Sequence, residues 1–320
     1  MFSTTRAPSS SEETYGFIGL GQMGYHMANN LYKNSGKNLV VYDINPKAVS
    51  RFIEYNKQQS SNDSLRIEVA SSPREVAEKS SFIMTMLPES PHIKEAYLGE
   101  KGILSGISPG KICVDSSTIE PTVSLEVTKE VAKASAIGVD GPVSGGVMGA
   151  EAGTLTFMVG APEKSIVERV EPALLSMGKN VVHCGDLGTG LIAKICNNLL
   201  LAVTMVGACE ALHLGTKLGM DPKLLSSIMN ISSGRSWTID TANPIPGYLP
   251  NSPSSKGYEG GFAIKLILKD VGLAMSAAKD TKSSMMASAL TEQIYRHVSN
   301  YEQYSNKDFS VLYKWLKENK

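Results

Sequence analysis

Short runs of β-branched, aromatic and other apolar residues alternate with stretches of helical spacing over the first 187 residues, and then the alternation stops. The runs at residues 15–18, 38–43, 66–69, 81–86, 111–115, 136–139, 155–159 and 180–183 predict strands. Between them lie helical patterns from Gly24 to about Tyr32, over residues 121–133 and over residues 163–176. Strands separated by helices of this length predict an α/β fold, a Rossmann-type, doubly wound and mainly parallel sheet covered by helices. Beyond Thr189 only helical periodicity remains, over residues 191–218, 222–231, 263–279, 286–300 and 308–318. That predicts an all-helical C-terminal domain. A Pro/Gly/Ser-rich stretch at residues 243–261 interrupts it and predicts a long loop, a kind that is usually functional or mobile.

The predicted organisation is therefore a tail over residues 1–14, a dinucleotide-binding domain over residues 15–187, and a helical domain over residues 188–320 that begins with a long interdomain helix. With 320 residues, two domains are what surface-to-volume scaling favours. The longest uncharged apolar run, residues 199–209, is far shorter than the roughly 20 residues of a membrane span, so it predicts a buried helix and no membrane partner. The tail is rich in Ser and Thr, carries Arg6 and holds acids only at Glu12 and Glu13. It matches a short transit peptide and, equally, an unstructured terminus.

Charge narrows the partners. The 31 basic and 31 acidic residues cancel, so no whole-chain field draws the protein to nucleic acid. Four dispersed cysteines, without a Cys-x-x-Cys pair, predict reduced thiols in an intracellular compartment. They and five scattered histidines offer no zinc-ligand spacing, so no metal is expected.

The first strand runs into Gly19-Leu20-Gly21-Gln22-Met23-Gly24 and then a helix. This context gives the Gly-x-Gly-x-x-Gly pattern a mechanism. Gly19 makes the tight turn, Gly21 lets backbone approach a pyrophosphate, Gly24 lets the helix pack, and the helix N-terminus faces the anion. Asp43 ends the second strand, where a carboxylate accepts hydrogen bonds from an adenosine ribose and repels a 2′-phosphate. Because no arginine follows in Ile44-Asn45-Pro46, the expected cofactor is NAD rather than NADP.

Ligands of doubly wound sheets sit outside the C-terminal strand ends. Three polar loops fall there: Leu87-Pro88 onward to His92, Ser116-Ser117-Thr118, and Asp140-Gly141-Pro142-Val143-Ser144-Gly145-Gly146. In the last, Ser144, Gly145 and Gly146 are small enough to aim successive N–H groups and a hydroxyl at a substrate carboxylate. Gly106-Ile107-Ser108-Pro109-Gly110 matches a nucleophile elbow formally, but a strand follows it where a helix is required, so it predicts a turn. Asn62-Asp63-Ser64 and Asn230-Ile231-Ser232 match a glycosylation pattern and are assigned no role.

Lys194 and Asn198 stand four residues apart in an otherwise apolar helix, and hence on one face. A lysine in such surroundings suits the proton transfer that accompanies hydride transfer, given a pKa brought from about 10.4 towards about 7 to 8 by desolvation or a nearby cation. Gly188 and Gly190 precede it, and are expected to leave room between nicotinamide and substrate.

Together these stretches resemble the β-hydroxyacid dehydrogenase superfamily, over nearly the whole chain from about Tyr15. The cofactor motif is Gly19-Leu20-Gly21-Gln22-Met23-Gly24, the substrate motif runs from Asp140 to Gly146, and the catalytic motif is Gly188-x-Gly190-x-x-x-Lys194-x-x-Asn197-Asn198. Residues 232–237, 243–247 and 261–274 look like its 3-hydroxyisobutyrate dehydrogenase branch. The resemblance implies further cofactor contacts from Leu87, Pro88, Thr118 and Lys269. His92 departs from the asparagine common in that branch but still forms hydrogen bonds.

What the resemblance implies is NAD-dependent oxidation of 3-hydroxyisobutyrate, a small hydroxy acid, to methylmalonate semialdehyde, with Lys194 as general acid/base and Asn198 orienting substrate or lysine. It also implies a homo-oligomer, dimer or tetramer, and a mitochondrial matrix location from the place of this reaction in valine catabolism, with the cytoplasm otherwise. The alternatives are a related dehydrogenase or semialdehyde reductase (tartronate, glyoxylic or succinic semialdehyde) and a non-catalytic cofactor-binding scaffold.

Overall fold

The computed structural model describes residues 13–59 and 65–319. The tail up to residue 12, with its transit-peptide expectation, and Asn62-Asp63-Ser64 lie outside them. The chain forms two compact units, Met1–Lys194 and Ile195–Lys320.

The first unit runs β1 (Thr14–Ile18), α1 (Gln22–Ser35), β2 (Asn38–Tyr42), α2 (Pro46–Gln59), β3 (Ile67–Val69), α3 (Pro73–Lys79), β4 (Phe82–Thr85), α4 (Ser90–Leu98), β5 (Ile112–Asp115), α5 (Pro121–Lys133), β6 (Ile137–Asp140), β7 (Val143–Ser144), α6 (Gly146–Ala152), β8 (Leu155–Gly160), α7 (Lys164–Leu175) and β9 (Gly178–Gly185). The sheet order is β3-β2-β1-β4-β5-β6-β8-β7, with β9 also on β8. Strands β1 to β6 pair in parallel, as do β8 and β9, while β8 is antiparallel to β6 and β7. The chain crosses from the β3 edge back to β4 beside β1, which makes the β1/β4 boundary the topological switch point.

Strand periodicity explains the core. Phe17, Val41, Met84, Val114 and Val139 face one side, while Ile18, Val40, Ile83 and Cys113 face the other. Both faces are covered, so these strands read as nearly continuous apolar runs. Each large side chain so buried contributes about 1.5–3 kcal/mol. Strand β7 falls within a predicted loop. It is two residues long and exists only by pairing with Thr156 and Phe157, so nothing local announces it.

Helix α8 (Thr189–Lys217) leaves the first unit and continues into the second, which adds α9 (Pro222–Ile231), α10 (Trp237–Asp240), α11 (Ile264–Asp280), α12 (Met286–Ser299), α13 (Glu302–Ser305) and α14 (Leu312–Glu318). Ala202, Met205, Cys209 and Leu212 of α8 pack with Ile264, Ile267 and Val271 of α11 and with Tyr295 and Val298 of α12. Burial pushes the Cys209 thiol up and the Cys113 thiol to about 12, and all four cysteines are free thiols. By length and composition α8 is also apolar enough to cross a membrane, with a mean hydropathy of 1.7 over its most apolar window. Only 44% of that window is buried inside its own chain, so the expected buried helix is buried along one side only.

The Pro/Gly/Ser-rich stretch is bound to itself. Ser254 Oγ donates to the Asn243 carbonyl at 2.7 Å and the Tyr258 hydroxyl donates to the Pro244 carbonyl at 2.9 Å. Asn243, Ile245 and Tyr258 are buried.

Candidate active site

Each glycine of the first turn has its own reason. Gly19 has φ +99°, and a Cβ there would strike the Met86 carbonyl after β4. A Cβ on Gly24 would strike the Gly19 carbonyl. Gly21 is different, because a Cβ there would meet nothing within 4 Å. Gly21 is exposed, is the N-cap of α1 and has no capping side chain, and the first turn holds no acid. Gln22 is exposed, Met23 is half-buried and Leu20 is buried. The result is a helix N-terminus with room for an anion, which fits the diphosphate of a dinucleotide.

Asp43 is drawn into the same turn. Its Oδ2 accepts from the Leu20 N–H at 2.6 Å and its Oδ1 from the Asn45 N–H at 2.7 Å. Each oxygen keeps a lone pair for a ribose hydroxyl.

The loops after β4, β5 and β6 are tied by polar contacts. Asp115 Oδ1, buried, accepts from Thr85 Oγ1 at 2.7 Å and from the Ser117 N–H at 3.1 Å. Ser117 Oγ accepts from the Leu87 N–H at 2.8 Å, and Ser116 Oγ donates to the Gly141 carbonyl at 2.6 Å. Leu87 and Thr118 are thereby held half-buried, while Pro88 and, on α4, His92 are exposed. Burial raises the Asp115 carboxyl to about 6 against the pull of its hydrogen bonds.

Ser144 ends β7 half-buried, and Gly145 (φ +135°) and Gly146 (φ +62°) follow, both exposed. Asn30 of α1 donates to the Ala150 carbonyl at 2.6 Å, which fixes α6 against the helix behind the glycine turn.

Lys194 is buried, at 9% exposure, near the start of α8. That start is held by Asp140, at the end of β6, whose Oδ1 accepts from the Gly188 N–H at 2.7 Å and whose Oδ2 accepts from the Leu191 N–H at 2.9 Å. Burial raises the Asp140 carboxyl, and these N–H groups pull it back. The geometry gives Gly188 and Gly190 a reason within the unit itself. A Cβ on Gly190 would strike the Met158 carbonyl and lie 2.7 Å from Asp140 Oδ2, and one on Gly188 would lie 3.3 Å from the Leu125 side chain. These glycines make room for β8, Asp140 and α5, so packing inside the unit already calls for small residues here.

In the second unit Asn198 is 2% exposed, and its Nδ2 donates to Asp270 Oδ2 at 2.6 Å while its Oδ1 accepts from Asn197 at 3.1 Å. Lys269, partly exposed, stands with its Nζ 3.5 Å from Asp270 Oδ1. An ionised carboxylate only accepts, so Asp270 sets which end of the Asn198 amide faces it. Asp270 was assigned no role from sequence. Its signal was a charged residue on the apolar face of α11, in step with Ile264, Ile267, Val271 and Ala274.

Two family models cover the chain. Residues 14–185 match the NAD binding domain of 6-phosphogluconate dehydrogenase, and residues 188–316 match the NAD-binding domain of NADP-dependent 3-hydroxyisobutyrate dehydrogenase. A mouse (Mus musculus) mitochondrial 3-hydroxyisobutyrate dehydrogenase is 48% identical over 309 residues, 97% of this chain and 88% of the relative. The chain belongs to the 3-hydroxyisobutyrate dehydrogenase family. A Pseudomonas aeruginosa member is 40% identical over 93% of this chain and 96% of its own. The structure of a Mycobacterium tuberculosis member, solved with L-serine, superposes with a TM-score of 0.87 at 33% identity, over 95% of this chain and 99% of that one. Family membership makes the chain an oxidoreductase that uses a nicotinamide dinucleotide, with the Rossmann-type and helical domains described above.

Proposed function

We propose that the chain oxidises 3-hydroxyisobutyrate reversibly to methylmalonate semialdehyde, with NAD as the cofactor. Bound NAD supplies the hydride acceptor. Lys194 takes the hydroxyl proton from the substrate and returns it in the reverse direction. Ser144, Gly145 and Gly146 hold the substrate carboxylate. Asn198, with one N–H committed to Asp270 and its Oδ1 accepting from Asn197, keeps its second N–H and the second lone pair of Oδ1 to orient the lysine or the substrate. Residues 19–24, Asp43, Leu87, Pro88, His92, Thr118 and Lys269 form the cofactor contacts.

The observation that carries this is Lys194, buried on a helix whose first turn is tied down, in a chain of this family. Lys194→Ala should remove turnover while the dinucleotide dissociation constant stays within about threefold. Because base catalysis is worth about 10² to 10⁴, a variant that keeps more than about a tenth of the rate defeats the assignment. A panel of 3-hydroxyisobutyrate, 3-hydroxypropionate, glycerate and 4-hydroxybutyrate tests the substrate, and a higher kcat/KM for any of the last three replaces it.

Asp43, accepting from Leu20 and Asn45, supports NAD, since its charge opposes a 2′-phosphate. A better specificity constant with NADP overturns that preference. The names of the mouse and Arabidopsis thaliana relatives support a mitochondrial location, which fractionation tests. Exposed Leu214 of α8, Leu218 directly after it, and Leu224, Ile228 and Ile231 of α9 support a homo-oligomer. Sedimentation of a monomer at micromolar concentration refutes it.

A further inference from the structure

The N-cap position of α8 is Gly188, whose carbonyl accepts from the Ile192 N–H at 3.1 Å. A glycine there has no side chain to accept from the N3 position, Leu191. Asp140 supplies it from 48 residues away in the chain. One carboxylate oxygen takes the N-cap N–H and the other takes the N3 N–H, so both oxygens are engaged on one helix end. The charge also lies at the positive end of the helix dipole. Asp140 is fully buried, and the room for its carboxylate exists because residues 160 and 190 are glycines. A Cβ on Gly160 would strike Oδ1, and one on Gly190 would crowd Oδ2.

We propose that Asp140 is a positioning residue for the reaction, because its carboxylate fixes the first turn of α8 and with it the place of Lys194. This rests on the assignment of Lys194 as the base. Lys194 lies three residues beyond Leu191, on the same side of the helix within one turn. A rotation or slide of that turn moves the ammonium by a comparable distance, and a misplacement of 1 Å costs about 10² in rate. The other end of Asp140 is rooted in β6, beside Asp115 in register and directly before the loop to Ser144. One side chain therefore ties the base helix to the strand from which the expected carboxylate-holding loop departs.

The test is Asp140→Asn, made in the wild-type and the Lys194→Ala enzymes. The amide keeps size and shape but presents N–H to one of the two backbone donors. In the wild-type background kcat should fall about 10²-fold, with the dinucleotide dissociation constant within about threefold. In the Lys194→Ala background the same change should alter the residual rate by less than about threefold, because the group it positions is gone. Equal losses in both backgrounds, or loss of dinucleotide binding, overturn the positioning role. If Lys194→Ala itself keeps full turnover, the base assignment fails separately. Hydrogen exchange in the unmodified protein needs no folded variant. The Gly188 and Leu191 amides should be strongly protected, and exchange at the rate of an open loop overturns the proposal.

Discussion

Two helices of the first unit begin alike in sequence and differently in structure. A Gly-x-Gly lies at the start of each, residues 19–21 just before α1 and residues 188–190 across the start of α8, and both have glycine at the N-cap, Gly21 and Gly188. At α1 the space a side chain would fill is open. At α8 that role is taken by Asp140, and Gly190 leaves the carboxylate its room. A helix end that receives an anionic cofactor must carry no acid of its own, whereas one that carries a buried lysine is better tied down. The difference lies in one carboxylate, and that carboxylate comes from another strand.

The largest expected effect on this contrast is at α8. Loss of the Lys194 amine should lower kcat by about 10² to 10⁴ with binding intact, which steady-state kinetics and dinucleotide titration read. Next is the reverse experiment at α1. Gly21→Asp places a good N-cap where the structure has none, so thermal stability should hold within about 1 kcal/mol. Dinucleotide affinity should nevertheless fall about 100-fold, because the acid occupies and repels the diphosphate site. Unchanged affinity would show that α1 does not hold the anion.

Gly190→Ala should be costly without any ligand, by about 2–3 kcal/mol, since its methyl group strikes the Met158 carbonyl and crowds Asp140. Urea unfolding measures it, and a neutral result would remove the packing account of that glycine.

The smallest effect concerns Asp115. Its carboxyl lies above its unfolded value, at about 6 against 3.8, so the stability it favours is present below the unfolded value and is lost as pH rises through about 6. Asp115→Asn should therefore gain stability relative to wild type between pH 4 and pH 7.5, by on the order of 1–3 kcal/mol. A difference independent of pH contradicts the burial argument.

Much of this was legible in the chain. The strand and helix periods located β1, β2, β4, β5, β6, β8 and β9, and the long helices of the second unit, within a few residues, because both faces of the sheet and one side of each helix are apolar. Residues 19–24 announced a dinucleotide turn, since only glycine meets the two close backbone approaches there. Strand β3, three residues long, was located as well, but other short elements escaped. Strand β7 and helices α10 and α13 span two to four residues, too few to show a period. The 243–261 stretch read as a loop because Ser, Pro and Gly signal turns, but its serines close on its own backbone.

Sequence alone determined the alternation of elements, the glycine turn, the acid after β2 and the spacing of Lys194 and Asn198, because each is a local pattern within a turn or two. Tertiary structure decided what holds them. Asp140 heads the substrate motif and Asp270 stands in the 261–274 stretch, but neither motif names the partners of these carboxylates, which lie 48 and 72 residues away. A hydrogen bond between such distant residues leaves no periodic trace in the sequence, because it exists only when the sheet and helices have brought the two together.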